Sequence, residues 1–211
     1  TSSDLLAENV GYDSTTVKDT LDSLLYEAIN ITSFTSNVEP VQEIGTNINS
    51  ITLTWKLSQP ATEQFINDVP VTGSSFTFDT PFNSNKSFTL KVNDGTTIKS
   101  KTIDIKFMNN IYYGVSSSTT YDSNFIESLT KELRQATEMN FRVNAGKDEY
   151  ICFAYPSHYG EAVFSVGGFE GGFREVAKFY YTNESGYNEQ YIVYCSDNPC
   201  LGDTRVKVIY V

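Results

Sequence analysis

Nucleophilic catalysis needs a base beside a Ser or Cys, and the one imidazole in this chain is His158, within Tyr155-Pro-Ser-His-Tyr159. No Gly-x-Ser-x-Gly elbow accompanies it, and its place after an apolar run predicts a loop position. Metal sites need two or more His or Cys at set spacing. One His with Cys152, Cys195 and Cys200 does not meet that, and no calcium-loop pattern ending in Glu is present. The residues therefore predict no catalytic group, no metal ligand and no cofactor. A glycosidase needs only two carboxylates that meet in space, and Glu170 and Glu175 are the pair to test for that class.

The most unusual segment is Gly167-Gly-Phe-Glu-Gly-Gly-Phe173. A phosphate-cradling glycine loop follows a strand and opens a helix; here a strand precedes, but a second strand is expected to follow. Two readings stand. One is a hairpin whose left-handed positions require Gly. The other is a close-approach surface on which Phe169 and Phe173 dock a partner or a sugar. Tyr180, Tyr181, Tyr187, Tyr191 and Tyr194 gather around Asn183-Glu-Ser-Gly186. Tyrosine suits recognition surfaces but is also an ordinary half-buried strand residue, so both roles stay open, the strand role first. Phe169, Phe173, Tyr187 and Tyr191 make up the candidate recognition surface.

These residues must be positioned by surrounding elements. Val17, Leu21, Leu24, Leu25, Ala28 and Ile29 share one face of a helix, with Ser14, Thr15 and Thr16 as candidate N-caps and Asp19 near the positive end. So short a helix is marginal alone and must pack on something. It packs either on its own downstream domain or on the same helix of sister chains, in which case Val17, Leu21, Leu24, Leu25 and Ala28 are the oligomerisation residues. Residues 31–108 read as seven short strands separated by turn signals such as Asn93-Asp-Gly95, with clear alternation in Ile51-Thr-Leu-Thr-Trp-Lys-Leu57. That density predicts an immunoglobulin-like or fibronectin-III-like sandwich with Trp55 in its core. Residues 109–211 read as an α+β domain: a strand, a helix over 123–137 lined by Phe125, Ile126, Leu129, Leu133 and Ala136, then six strands. The fold class is mostly β, in three parts: a helical segment 1–30, the sandwich 31–108 and the α+β domain 109–211.

Composition narrows the partners. Net charge is −11, from 15 basic and 26 acidic residues, without the clustered Lys and Arg that a nucleic acid or an anionic membrane requires. No apolar run approaches a membrane span, so no membrane insertion is expected. Thr1 to Val10 lacks the layout of a secretory signal, and a chain opening on Thr is expected to be a processed protein or a fragment of a longer one. Three Cys argue against a disulfide framework. Cys195 and Cys200 have the spacing to close a small loop, and whether they pair stays open. Cys152, inside an apolar run, is expected to be a buried free thiol.

Glu8-Asn-Val-Gly-Tyr-Asp-Ser-Thr-Thr-Val-Lys-Asp-Thr-Leu-Asp-Ser-Leu-Leu25 resembles the N-V-x-Y-D-x-T-T-V-x-D-A-L-D-x-L segment of tailed-phage and prophage fibre and appendage proteins. Ile31-Thr-Ser-Phe and Glu43 to Trp55 resemble the Ig-like module that often follows it, and Asn110 to Tyr194 resembles the end domain of the same proteins. The resemblance implies a non-enzymatic virion structural protein, commonly trimeric. The N-terminal segment attaches or bundles, and the end domain faces a host-surface glycan or a neighbouring virion protein. It carries over no catalytic residue. Only one helix-then-sandwich unit is present, which favours a short head, neck or baseplate appendage assembled in the host cytoplasm. The alternative is a secreted bacterial Ig-like carbohydrate-binding or adhesin module, extracellular or on the cell surface.

Overall fold

The computed structural model describes residues 11, 12 and 15–211. Residues 1–10, 13 and 14 lie outside them, and with them the start of the segment 1–30 and the candidate N-cap Ser14. In chain order the elements begin with β1 (Gly11–Tyr12), β2 (Thr15–Thr16), α1 (Val17–Leu25), β3 (Ile31–Ser36) and β4 (Val41–Glu43). Next come β5 (Ile51–Leu57), β6 (Glu63–Ile66), β7 (Val69–Pro70), β8 (Ser75–Phe78), β9 (Lys86–Asn93) and β10 (Ile98–Met108). There follow β11 (Asn110–Ser116), α2 (Ser123–Glu127), β12 (Thr130–Leu133), β13 (Met139–Ala145), β14 (Tyr150–Pro156) and a 3₁₀ turn at Ser157–Tyr159. The chain ends with β15 (Ala162–Val166), β16 (Phe169–Glu170), β17 (Phe173–Thr182), β18 (Asn188–Ser196) and β19 (Gly202–Tyr210). The fold is mostly β, as expected.

The chain divides into two compact units, each assembled from separated stretches. The first takes the described residues up to Asn37 together with Thr52–Thr77 and Phe88–Ile103; the second takes Val38–Ile51, Phe78–Ser87 and Asp104–Val211.

In the first unit, α1 starts with a capping box. Thr16 Oγ1 accepts from the Asp19 N–H at 3.1 Å while an Asp19 carboxylate oxygen accepts from the Thr16 N–H at 3.1 Å, satisfying two otherwise orphaned donors. The helix stops at Leu25, short of Ala28 and Ile29, which the periodicity had placed on it. The cause lies in Asp94. Its carboxylate accepts from the Tyr26 hydroxyl at 2.7 Å and from the Ile29 N–H at 3.0 Å, drawing residues 26–29 into an extended path. Ile29 is thereby fully buried, whereas Ala28 is exposed and non-helical. Antiparallel pairs β3–β5 and β6–β9, with β8 beside β5 and β7 beside β6, supply the strands over the unit's core. Strict alternation on β5 sends Leu53 and Trp55 inward.

The second unit contains a five-stranded sheet, β12-β11-β14-β18-β17, and a four-stranded sheet, β13-β19-β15-β16. Ile151, Phe153 and Tyr155 of β14 and Ile192 of β18 pack with Phe141, Phe164, Val206 and Val208 of the smaller sheet. Cys152, Ala154, Val193 and Cys195 point the other way, against Tyr112, Phe125, Ile126 and Tyr181. Both faces of the central strands are therefore covered, which is why β14 reads as a continuous apolar run.

Two expectations are corrected here. The helix over 123–137 is only α2, five residues long. Ser128 ends it: its hydroxyl donates to the Phe125 carbonyl at 2.7 Å, competing with the helical ladder. Leu129, Leu133 and Ala136 thus fall outside any helix, and residues 130–133 instead pair antiparallel with β11, satisfying its edge. The unit is accordingly two packed sheets with a short helix, rather than one sheet on one long helix. The second correction concerns Cys152, which is joined to Cys195 in a disulfide; Cys200 is the free, exposed thiol.

Candidate functional site

A cleft of about 380 Å³ opens on the second unit, between the turn after β14, the turn before β18 and the β10–β11 junction. Its polar groups stem from short, strongly held segments. Pro156 leads into the 3₁₀ turn bearing His158 and Tyr159, and Gly160 ends it at φ +95°. A Cβ at Gly160 would lie 2.7 Å from the Val211 carbonyl oxygen, so only glycine fits that exit. His158 Nδ1 hydrogen-bonds Glu189 of β18. The second Glu189 oxygen accepts from Asn109 Nδ2 at 2.7 Å, and Asn109 is itself buried. The Tyr159 hydroxyl donates to the Arg134 carbonyl; burial, and then the negative charge of Glu189, push its phenol up to about 12.

Tyr187 forms an aromatic wall and is held through its backbone. Its N–H donates to Asn183 Oδ1 at 2.8 Å, while Asn183 Nδ2 donates to the Ile44 carbonyl at 2.8 Å. Gly45, at φ +95°, lets the 44–46 turn approach so closely that a Cβ there would sit 2.8 Å from Tyr187 Cβ. Gln135 projects from the loop after β12. Among the described residues, neither the Gln135 amide nor the Tyr187 hydroxyl has a hydrogen-bond partner within the chain. The cleft thus offers an imidazole, a free amide and a free phenol beside the apolar side chains of Phe107 and Met108. Among the described residues no Ser or Cys hydrogen-bonds His158: the neighbouring Ser157 hydroxyl donates to Gln190 Oε1 at 3.3 Å.

The residues singled out in the sequence do not converge on one place. Tyr187 lines this cleft. Tyr191 does not belong to any surface: it is 3% exposed, and its hydroxyl donates to the Asn110 carbonyl at 2.7 Å. Burial of both faces of β18 is the reason. Phe169 stands 82% exposed on the β15–β16 hairpin, whose turn residues Gly167 and Gly168 have φ of +59° and +88°. Glycine is needed there for the turn, and no helix follows it. Phe173 stacks on Phe164 at 4.4 Å between ring centroids, half-buried beside a small opening of about 190 Å³ that Glu161 and Glu170 also line. Glu175 sits on β17 opposite Tyr194. Val17, Leu21, Leu24 and Leu25 line the exposed apolar side of α1, which buries none of its residues.

A larger opening of about 610 Å³ lies on the first unit beside Trp55, but that ring is buried and its indole N–H already donates to Gln64 Oε1 at 2.6 Å. Among the described residues no three His, Cys, Asp or Glu gather as a metal site would require, and no helix is long and apolar enough to cross a membrane. Sequence reasoning weighed His158 only as a catalytic base and passed over Asn109, Gln135 and Glu189. Their meeting depends on three distant loops, and no local pattern announces it. No family model, curated protein or solved structure matches the chain.

Proposed function

We propose that the protein is a non-enzymatic structural module of a tailed-phage or prophage virion appendage, which assembles with copies of itself, as a trimer, through α1. Residues 31–108 serve in this reading as an Ig-like spacer, and the C-terminal part contacts a host-surface glycan or a neighbouring virion protein. The observation that carries it is α1 itself. A nine-residue helix is too short to persist alone, yet a capping box fixes its start and Leu24 and Leu25 are 77% and 76% exposed. Val17, Leu21 and Leu24 follow a four-three spacing, the seam of a helix that packs against its like. Lys18 and Asp22 form an ion pair, leaving the seam apolar. The matching partner for such a seam is the same seam on a sister chain.

Light scattering after size exclusion tests the reading. The wild-type chain is expected at three times its chain mass, and the exposed-site double variant Leu21→Glu/Leu24→Glu at the single-chain mass. A wild-type monomer would remove the self-assembling model.

A second reading, a secreted bacterial Ig-like binding or adhesin module, is favoured by one observation, the Cys152–Cys195 disulfide. Disulfides persist in oxidising surroundings and are rare in reducing cytosol. A monomer that keeps this bond when purified from an exported source would support that reading over the first.

A further inference from the structure

We infer that the cleft framed by Asn109, Gln135, His158, Tyr187 and Glu189 is a binding site for a neutral saccharide. This deepens the recognition half of the function proposed above and rests on it. Its volume of about 380 Å³ lies at the small end of ligand pockets, suited to one or two sugar rings.

The chemistry of the walls selects the ligand class. A sugar presents a face of C–H groups and a rim of hydroxyls, each able to donate and accept. It is bound by an aromatic or apolar wall together with planar groups whose donors and acceptors are fixed in direction. Here the wall is Tyr187 with Phe107, and the planar groups are the Gln135 amide, the His158 ring and the Glu189 carboxylate. The Gln135 side-chain amide and the Tyr187 hydroxyl have no partner within the chain among the described residues, so a hydroxyl-bearing ligand would meet groups not already engaged.

Charge argues against the other classes. Glu189 is the one carboxylate of the lining, and the chain carries a net charge of −11, which disfavours an anion. Each Glu189 oxygen already accepts a hydrogen bond, one from Asn109 and one shared with His158, which leaves little to hold a bare cation. The site is also stiff before any ligand arrives. Glu189 is set by the buried Asn109, and Tyr187 by Asn183 and the close approach of Gly45, so little ordering cost remains for binding.

Saturation-transfer NMR on the full chain tests this, with glucose, galactose, mannose, N-acetylglucosamine and N-acetylgalactosamine as probes. At least one of the five is expected to receive saturation. Gln135→Ala and His158→Ala, both at exposed side chains, should each weaken its binding by about three- to tenfold, the size of one or two lost hydrogen bonds. Phe169→Ala is the rival arm. Transfer that survives both cleft variants and vanishes in Phe169→Ala would overturn the site while leaving saccharide recognition standing, at the hairpin. No transfer to any of the five overturns the site and the glycan half of the proposed function together. The mass measurement on the same samples reports separately on self-assembly, so the two failures are told apart.

Discussion

Cys152 on β14 and Cys195 on β18 stand directly opposite one another, Cα to Cα 4.2 Å, and are joined by a disulfide on the sheet face that also carries Tyr112 and is covered by Phe125. The bond ties two central strands that already share a ladder. Thiol titration without reductant is expected to find one free thiol, Cys200, in both the native and the denatured chain, and three after reduction. A Cys152→Ala/Cys195→Ala chain should lose about 4 kcal/mol by the loop-entropy argument for a separation of 43 residues. Three free thiols in the unreduced denatured chain would show that the pair is not bonded.

Under the assembly proposed above, the capping box of α1 makes helix stability and assembly one property. Thr16→Ala removes the side-chain acceptor for the Asp19 N–H and should cost the helix about 1 kcal/mol. Because the seam residues must be helical to meet and each of three helices bears that cost, dissociation should shift to roughly tenfold higher chain concentration. Mass against concentration reads this directly. An unchanged curve would detach assembly from the helix.

Asp94 couples stability of the first unit to acid pH. The backbone N–H of Thr97, then the Tyr26 hydroxyl and the N–H groups of Thr96 and Ile29, hold its carboxyl well below the usual range. A depressed carboxyl pKa means the unfolded chain takes up the proton first as pH falls. Its contribution is therefore complete above about pH 4 and is lost as pH drops through the folded value. Thermal melts followed by Trp55 emission should fall between neutral and acid pH in the wild type. In Asp94→Asn the melt should be lower at neutral pH and should change less with acid. A variant matching wild type at both pH values would mean that the 26–29 segment is held by other contacts.

Tyrosines govern the alkaline limit. Burial raises the phenols of Tyr112, Tyr155, Tyr191 and Tyr210 far above their ordinary range, and that of Tyr159 to about 12. The folded chain then keeps protons that the unfolded chain gives up, so stability is intact below about pH 10 and declines above it. Tyrosinate absorbance should rise in two stages. The buried set ionises last, in one cooperative step with loss of β-sheet circular dichroism. A single smooth titration of all phenols with the sheet signal intact would contradict the buried assignments.

Much of the first unit was legible because its strands are half-buried. In Ile51-Thr-Leu-Thr-Trp-Lys-Leu57 one face meets the core and the other meets solvent, so alternation alone locates Trp55. The central strands of the second unit are covered on both sides, and there alternation vanishes. Nothing local tells Tyr191, sealed behind Asn110, from Tyr187, four residues earlier and open to the cleft. The same blindness stretched α2 to residue 137, since Leu129 and Leu133 keep helical spacing while β11 requires an edge partner. It also continued α1 through Ile29, because the pull of Asp94 acts from 65 residues away.

By itself the sequence determined the mostly-β class and the apolar face and capping signal of α1. Each of these depends on residues within a few positions of one another. Only the tertiary structure decided that Cys152 bonds Cys195 and not Cys200, that Tyr191 is core, and that Asn109, Gln135, His158, Tyr187 and Glu189 share one cleft. Those outcomes depend on which strands become neighbours and which sheet face is covered, and the free energy that selects them comes from contacts between residues far apart in the chain.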